Sequence, residues 1–284
     1  MSKPIIVCSD LSFVYKDSKK PALKNVSFTI SEGEFVGIIG PTGAGKSTLC
    51  WAINGVVPQI MQGKLKGSVE VKGKPSNKTP VDEISQIIGI VQQDAEAQLL
   101  MTDIEKEIVF PLENLSLPRE EIHRRLEYVI NLVNLDEERY RHPFYLSGGQ
   151  KQRVAVAAAL AMEPEVLILD EATSELDPVG AEEIHELAGR LKKEGKTVIM
   201  VEHNIDELAK HADRIIVMNQ GEILRDGDAH EILTDVNFLQ SLGIYPPQVT
   251  QTAFHLREAG WQFERLPLNL VEATQSISAL RKSQ

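Results

Sequence analysis

The chain has 284 residues and a formal charge of −11, a balance that argues against sequence-independent nucleic-acid binding, which rests on Lys and Arg neutralising phosphates. Apolar residues make up 42 % and charged residues 25 %, as in globular proteins with a sizeable core, and the length suits one large domain or a main domain with an appendage. No run of about 18 apolar residues spans a bilayer and Met1 to Pro4 does not open a secretory segment, so the cytoplasm is the expected compartment.

In chain order, Ile5–Cys8 and Leu11–Tyr15 read as strands, Ser18–Pro21 breaks the pattern, and Val26–Ile30 is a further strand turned at Ser31–Glu34. The Tyr15 ring either stacks on a nucleotide base or covers a sheet edge, and spacing does not choose between them. Cys8 and Cys50 form no C-x-x-C pair and lie among apolar neighbours, which favours reduced, packed thiols over a metal or redox site. Phe35–Ile39 is apolar throughout and reads as a buried strand.

Next comes Gly40-Pro41-Thr42-Gly43-Ala44-Gly45-Lys46-Ser47-Thr48, which fits the phosphate-loop pattern G-x-x-x-x-G-K-[ST] and precedes a helix at Leu49–Ile53. The glycines let backbone N–H groups turn toward a polyphosphate, and the helix presents its positive end to the same anion. Lys46 supplies a point charge for the β and γ phosphates, and Ser47 offers a hydroxyl to Mg2+. Chance would produce the pattern on the order of once per hundred chains of this length, so a ligand-free glycine turn is the weaker reading.

Ser68–Val71, bracketed by turns, is expected to complete an N-terminal antiparallel β layer. Ile87–Val91 is another strand, and Gln92 and Gln93 at its end suit a ligand-facing edge. Ile122, Leu126, Val129, Ile130 and Val133 recur at helical spacing, so residues 94–162 read as an inserted helical subdomain. Within it, the apolar residues from Leu99 to Phe110 are expected to be mostly core, some surfacing as a docking patch for a partner.

Leu146-Ser147-Gly148-Gly149-Gln150 opens an Ala- and Val-rich helix, repeating the anion-binding logic of exposed N–H groups, a hydroxyl and a dipole end. After that helix, Val166–Leu169 is followed by Asp170 and Glu171. Four apolar residues in a row describe a strand buried on both faces of a parallel sheet, with its acids at the carboxyl edge where open α/β sheets bind ligands. Asp170 is suited to hold the Mg2+ that Ser47 touches, and Glu171 to activate a water for attack on the γ phosphate. Ser174–Pro178 is a capped turn into a helix at 179–193, and Thr197–Val201 is a further buried strand ending in Glu202, His203 and Asn204. A lone histidine is usually structural, yet His203 falls at the same edge and can donate a hydrogen bond to the γ phosphate.

Phosphate loop, Leu146 to Gln150 pentapeptide, Asp170-Glu171 and His203 occur in the order and approximate spacing of the nucleotide-binding subunit of an ABC transporter, which the chain resembles from residue 3 to about 240. The resemblance implies the P-loop NTPase fold of ABC ATPases, α/β with a mostly parallel core sheet. It implies that Tyr15 stacks on adenine, that Gln93 senses Mg2+ and water, and that Asp177 lies in a loop crossing to a partner subunit. It further implies ATP hydrolysis in a head-to-tail dimer, each ATP held by one phosphate loop and by Ser147, Gly148, Gly149 and the adjoining Gln150 of the other subunit.

Finer stretches, Val91 to Gln98, Phe110 to Leu115 and Glu171 to Pro178, are similar to energy-coupling-factor importers for vitamins and metal ions. That likeness implies a homodimer or a heterodimer with a related ATPase, a membrane coupling protein whose helix enters the groove beside Gln93, and a substrate-binding membrane protein. Location at the cytoplasmic face of the cell membrane follows. Residues 1–241 are then the ATPase domain and 242–284, with an amphipathic stretch from Thr252 to Ala259, an extension that adds dimer contacts. Ala172, Glu175, Asn204 and Gln92 depart from the family's usual residues without removing a catalytic group. The alternative, an ABC-type ATPase acting on nucleic acid or ribosomes, lacks the expected coiled-coil insertions or tandem cassettes. A regulatory subunit without turnover would more naturally lack Glu171 or His203.

Overall fold

The structure, a computed structural model, describes residues 3–282. Of the segments 1–241 and 242–284, Met1, Ser2, Ser283 and Gln284 therefore lie outside the described residues. Strands β1 (Pro4–Tyr15), β2 (Leu23–Ser31), β3 (Phe35–Ile39), β4 (Gly63–Val71), β5 (Lys74–Pro75), β6 (Ile88–Val91), β7 (Val166–Asp170), β8 (Thr197–Val201), β9 (Arg214–Asn219) and β10 (Glu222–Asp228) form two sheets. An antiparallel layer runs β2-β1-β4-β5. The second sheet runs β10-β9-β3-β8-β7-β6, parallel from β9 to β6, with β10 antiparallel at one edge.

The helices are α1 (Lys46–Ile53), α2 (Val56–Gln59), α3 (Val81–Ser85), α4 (Ile104–Asn114), α5 (Arg119–Leu132), α6 (Gly148–Ala161), α7 (Pro178–Lys193), α8 (Ile205–His211), α9 (Ala229–Leu233), α10 (Val236–Ser241), α11 (Gln248–Glu258) and α12 (Leu270–Lys282). None is long and apolar enough to cross a membrane among the described residues. Between β6 and β7 the chain is mainly helical, in keeping with the periodicity of residues 122–133.

The parallel strands explain why the chain carries uninterrupted apolar runs. β3, β7 and β8 are buried at every position. Alternate residues serve opposite faces, as the strand period of two requires. Val36, Ile38, Val166, Ile168, Ile199 and Val201 face the core shared with the β layer and α1. Phe35, Ile39, Leu167, Leu169, Val198 and Met200 join the core under the helices. A small third cluster, Val236, Ala253 and Leu266, holds the C-terminal helices.

Several boundaries differ from the sequence expectation. The segments Ile5–Cys8 and Leu11–Tyr15 are one strand, because the break between them is a bulge rather than a turn. Asp10 has φ 48° and the register with both neighbouring strands slips there. β4 begins at Gly63 and α1 at Lys46, both earlier than predicted. β9 and β10 are elements beyond those expected: Ile215 to Met218 are buried, whereas β10 is an exposed edge containing Arg, Gly and Asp, residues with little strand preference.

Cys8 and Cys50 lie in the core as free thiols. Burial pushes the Cys8 thiol up to about 12, and burial, reinforced by the Asp170 charge, pushes Cys50 well above its usual value. With the thiolate suppressed, neither cysteine reacts with iodoacetamide at pH 8 in the folded chain, and both react in guanidinium. Mass spectrometry before and after denaturation checks this.

Candidate functional site

β3 ends at Ile39 and the chain reverses through Gly40–Gly45 before α1 begins. Two glycines make the reversal possible. A Cβ at Gly40 would stand 2.2 Å from the Met218 carbonyl oxygen, and Gly45, at φ 102°, would place one 2.5 Å from that of Ala22. Gly45 is also the N-cap of α1 and offers no side chain to its first-turn N–H groups. Those donors and the positive helix end are left for an anion. Lys46 is buried, and its Nζ donates to the carbonyl oxygens of Gly40 at 3.0 Å and Pro41 at 3.4 Å. Tyr15 is tied to the same helix by a 2.9 Å hydrogen bond between its hydroxyl and that of Thr48, its ring edge-on to Phe13.

The sheet brings the acids to this loop. Asp170, the last residue of β7, accepts a hydrogen bond from the Ser47 hydroxyl at 3.1 Å. Burial pushes the Asp170 carboxyl up; the Ser47 bond and Lys46 oppose the shift, and the Glu171 charge adds to it. One residue on, Glu171 stands at φ 53°, a left-handed conformation that costs a side-chain-bearing residue on the order of 1 kcal/mol. Its N–H donates to the Val201 carbonyl at 3.0 Å, which links the ends of β7 and β8. Glu171 Oε1 lies 3.3 Å from Lys46 Nζ and 3.0 Å from His203 Nε2. Phosphate loop, α1, β7 and β8 thus converge on one carboxylate.

Other predicted site residues lie apart from this cluster. Gln93 is exposed two residues beyond β6, with no described hydrogen bond to Ser47, Asp170 or Glu171. Ser147 caps α6: its hydroxyl accepts the Gln150 N–H at 3.2 Å while the Gln150 side chain accepts the Ser147 N–H at 3.0 Å. Ser147 and Gly148 are exposed and have no described contact with the chain's own phosphate loop. Asp177 caps α7 through a 2.8 Å bond from the Gly180 N–H and is likewise exposed.

Two residues stand at the site without having been expected there. Tyr245, 73 % exposed, borders a pocket of about 370 Å³ shared with Ile39–Thr42 and His203; nothing in the sequence around it signals that the tail returns to the phosphate loop. Glu202 is buried directly before His203, and a carboxylate at the end of an apolar strand was its only signal.

A phosphate loop on the first central strand of a mostly parallel sheet, with an Asp-Glu pair on a strand that meets it, defines the class of P-loop nucleoside triphosphatases. Within that class, residues 23–174 match the family model described as "ABC transporter". The energy-coupling factor transporter ATP-binding protein EcfA2 of Clostridium tetani is 39 % identical over 278 residues, 96 % of each chain. A solved structure of cbiO1 from Clostridium perfringens, part of the ABC transporter complex cbiONQ, superposes with a TM-score of 0.74 at 32 % identity, covering 90 % of this chain and 99 % of that one. The dimeric ATP-binding cassette MJ0796, bound to ADP and Pi after hydrolysis, gives a TM-score of 0.69 at 32 % identity, over 79 % of this chain and 98 % of that one. The chain belongs to the ABC transporter family, as an ATP-hydrolysing cassette with that family's fold.

Proposed function

We propose that this chain powers a membrane importer of the energy-coupling-factor kind, for a vitamin or a metal ion, by hydrolysing ATP held between two cassettes arranged head to tail. The observation that carries the hydrolytic part is the approach of Lys46 and His203 to within 3.3 Å of Glu171 at the phosphate loop. In this reading the backbone from Gly40 to Thr48 and the Lys46 ammonium hold the phosphates, and Tyr15 stacks on adenine. Glu171 takes a proton from water as its oxygen attacks the γ phosphorus and the bond to the β-phosphate oxygen breaks, giving ADP and phosphate. His203 Nε2 donates to the γ phosphate.

Mg2+ fits the donors present. The Ser47 hydroxyl and Asp170 carboxylate sit 3.1 Å apart, and among the described residues no group of three or more His, Cys, Asp or Glu makes a self-sufficient metal cage. An ion that keeps most of its shell for water and phosphate oxygens suits such a pair, and Gln93, which lies apart from it in this structure, would have to approach to serve as a further oxygen donor. When bound, it would neutralise charge developing on the phosphates.

The shared site is supported by the exposure of Ser147, Gly148 and Asp177 and by the dimeric cassette among the structural relatives. The partner is a second copy or a related ATPase. Membrane coupling is supported by the EcfA2 and cbiO1 relatives and by a groove of about 300 Å³ whose walls include Gly89, Leu99, Phe110 and Ala159. Glu107 fixes one wall by accepting the N–H groups of Leu100 and Met101 at 2.8 and 2.6 Å, which leaves Leu100 75 % exposed. A helix of the coupling protein would fill this groove, placing the chain at the cytoplasmic face of the membrane. Purification from native membranes tests the reading: a coupling protein, a substrate-binding membrane protein and a second cassette are expected to accompany the chain. Recovery on ribosomes or DNA contradicts it. Phe110→Glu, at a half-exposed groove position, is expected to cut recovery of the membrane chains at least tenfold while nucleotide binding persists.

A further inference from the structure

Glu202 has no part in the chemistry above, yet the residue is only 4 % exposed. Oε2 accepts the backbone N–H groups of His203 at 3.0 Å and Asn204 at 3.2 Å. Oε1 accepts the Thr173 hydroxyl, and the Nε2 of His185, which is fully buried, stands 3.5 Å from it. These groups come from three segments: the residues just after β8, the turn following Glu171, and the middle of α7, whose N-cap is Asp177.

A buried carboxylate is costly unless its acceptor sites are filled, and an apolar residue would continue the buried strand without that cost. What the carboxylate supplies is geometry. Two N–H bonds fix the backbone from which the His203 side chain departs, and the Thr173 bond ties that backbone to the turn bearing Glu171. The 3.0 Å contact between His203 Nε2 and Glu171 Oε1 is therefore held from behind. Burial opposes ionisation of Glu202, but the His185 imidazole, the Thr173 hydroxyl and the Asn204 N–H outweigh it, and its pKa lies below the usual carboxylate value.

We propose that Glu202 is a positioning residue for hydrolysis: with Thr173 it sets His203 against Glu171, and its approach to His185 places that contact beside α7 and its Asp177 cap. The proposal rests on the hydrolytic reading above. Steady-state ATP hydrolysis by the full-length chain in Mg2+, with melting temperature recorded for every variant, tests it. Glu202→Ala is expected to lower kcat about tenfold with KM for ATP within twofold. Glu202→Gln keeps one acceptor oxygen and recovers at least half of the lost rate. Thr173→Val lowers kcat about threefold. A purely structural role predicts lower melting temperatures with kcat per folded molecule unchanged, and that result overturns the proposal. If Glu202→Ala does not fold, unchanged kcat in a folded Thr173→Val overturns it equally. Hydrolysis insensitive to Glu171→Gln contradicts the hydrolytic reading itself, whereas hydrolysis lost in that variant and intact in Glu202→Ala contradicts only the role of Glu202.

Discussion

Replacing Glu171 by Gln lowers kcat for ATP hydrolysis by roughly 10²- to 10⁴-fold, the contribution typical of a general base. At about 1.4 kcal/mol per factor of ten, that is about 3 to 5 kcal/mol of barrier. The amide matches the carboxylate in shape, so it fits where Glu171 Oε1 lies 3.0 Å from His203 Nε2, but it takes no proton from water. Binding is not lost, because the neutral side chain removes a negative charge from beside the phosphates. The variant should therefore hold ATP and accumulate the closed pair of cassettes. Radiolabelled phosphate release under single-turnover conditions measures the rate, and filter retention of ATP measures the trapped nucleotide.

Lys46→Ala acts at the other end of the reaction. The ammonium is buried and already engages Gly40 and Pro41 carbonyls within the loop, so it is held where phosphates arrive. Removing charge-assisted hydrogen bonds of this kind costs about 1.5 to 3 kcal/mol, or roughly 10- to 100-fold in Kd for ATP. Titration with a fluorescent ATP analogue reads the change. Because the loop also loses its internal cross-brace, melting temperature must be followed in parallel, and ATP affinity unchanged in a folded variant would remove Lys46 from the site.

Much of the central sheet was legible because β3, β7 and β8 are buried on both faces and so must be apolar at every position. The cluster of Lys46, Ser47, Asp170, Glu171 and His203 was legible for a related reason: parallel strands deliver their carboxyl ends to one edge, so residues just past those ends meet whatever their separation in sequence. Less could be read where a residue's partner lies elsewhere. Nothing in the spacing tells that Tyr15 bonds Thr48, that Ser9–Asp10 bulges instead of turning, or that Tyr245 returns to the phosphate loop. Edge strand β10, half polar and exposed, carries no period to detect. Ser147 and Asp177 satisfy capping rules within their own helices, so one chain gives them a complete structural explanation, and their further role depends on a second cassette.

That dependence is the central claim, and native mass spectrometry of the Glu171→Gln assembly, prepared in ATP and Mg2+, tests it most directly. Two cassettes, identical or related, carrying two ATP molecules that leave together on disruption are predicted, with no such species in Lys46→Ala or in ADP. A single cassette holding one ATP as tightly as the pair should would contradict a site shared between subunits.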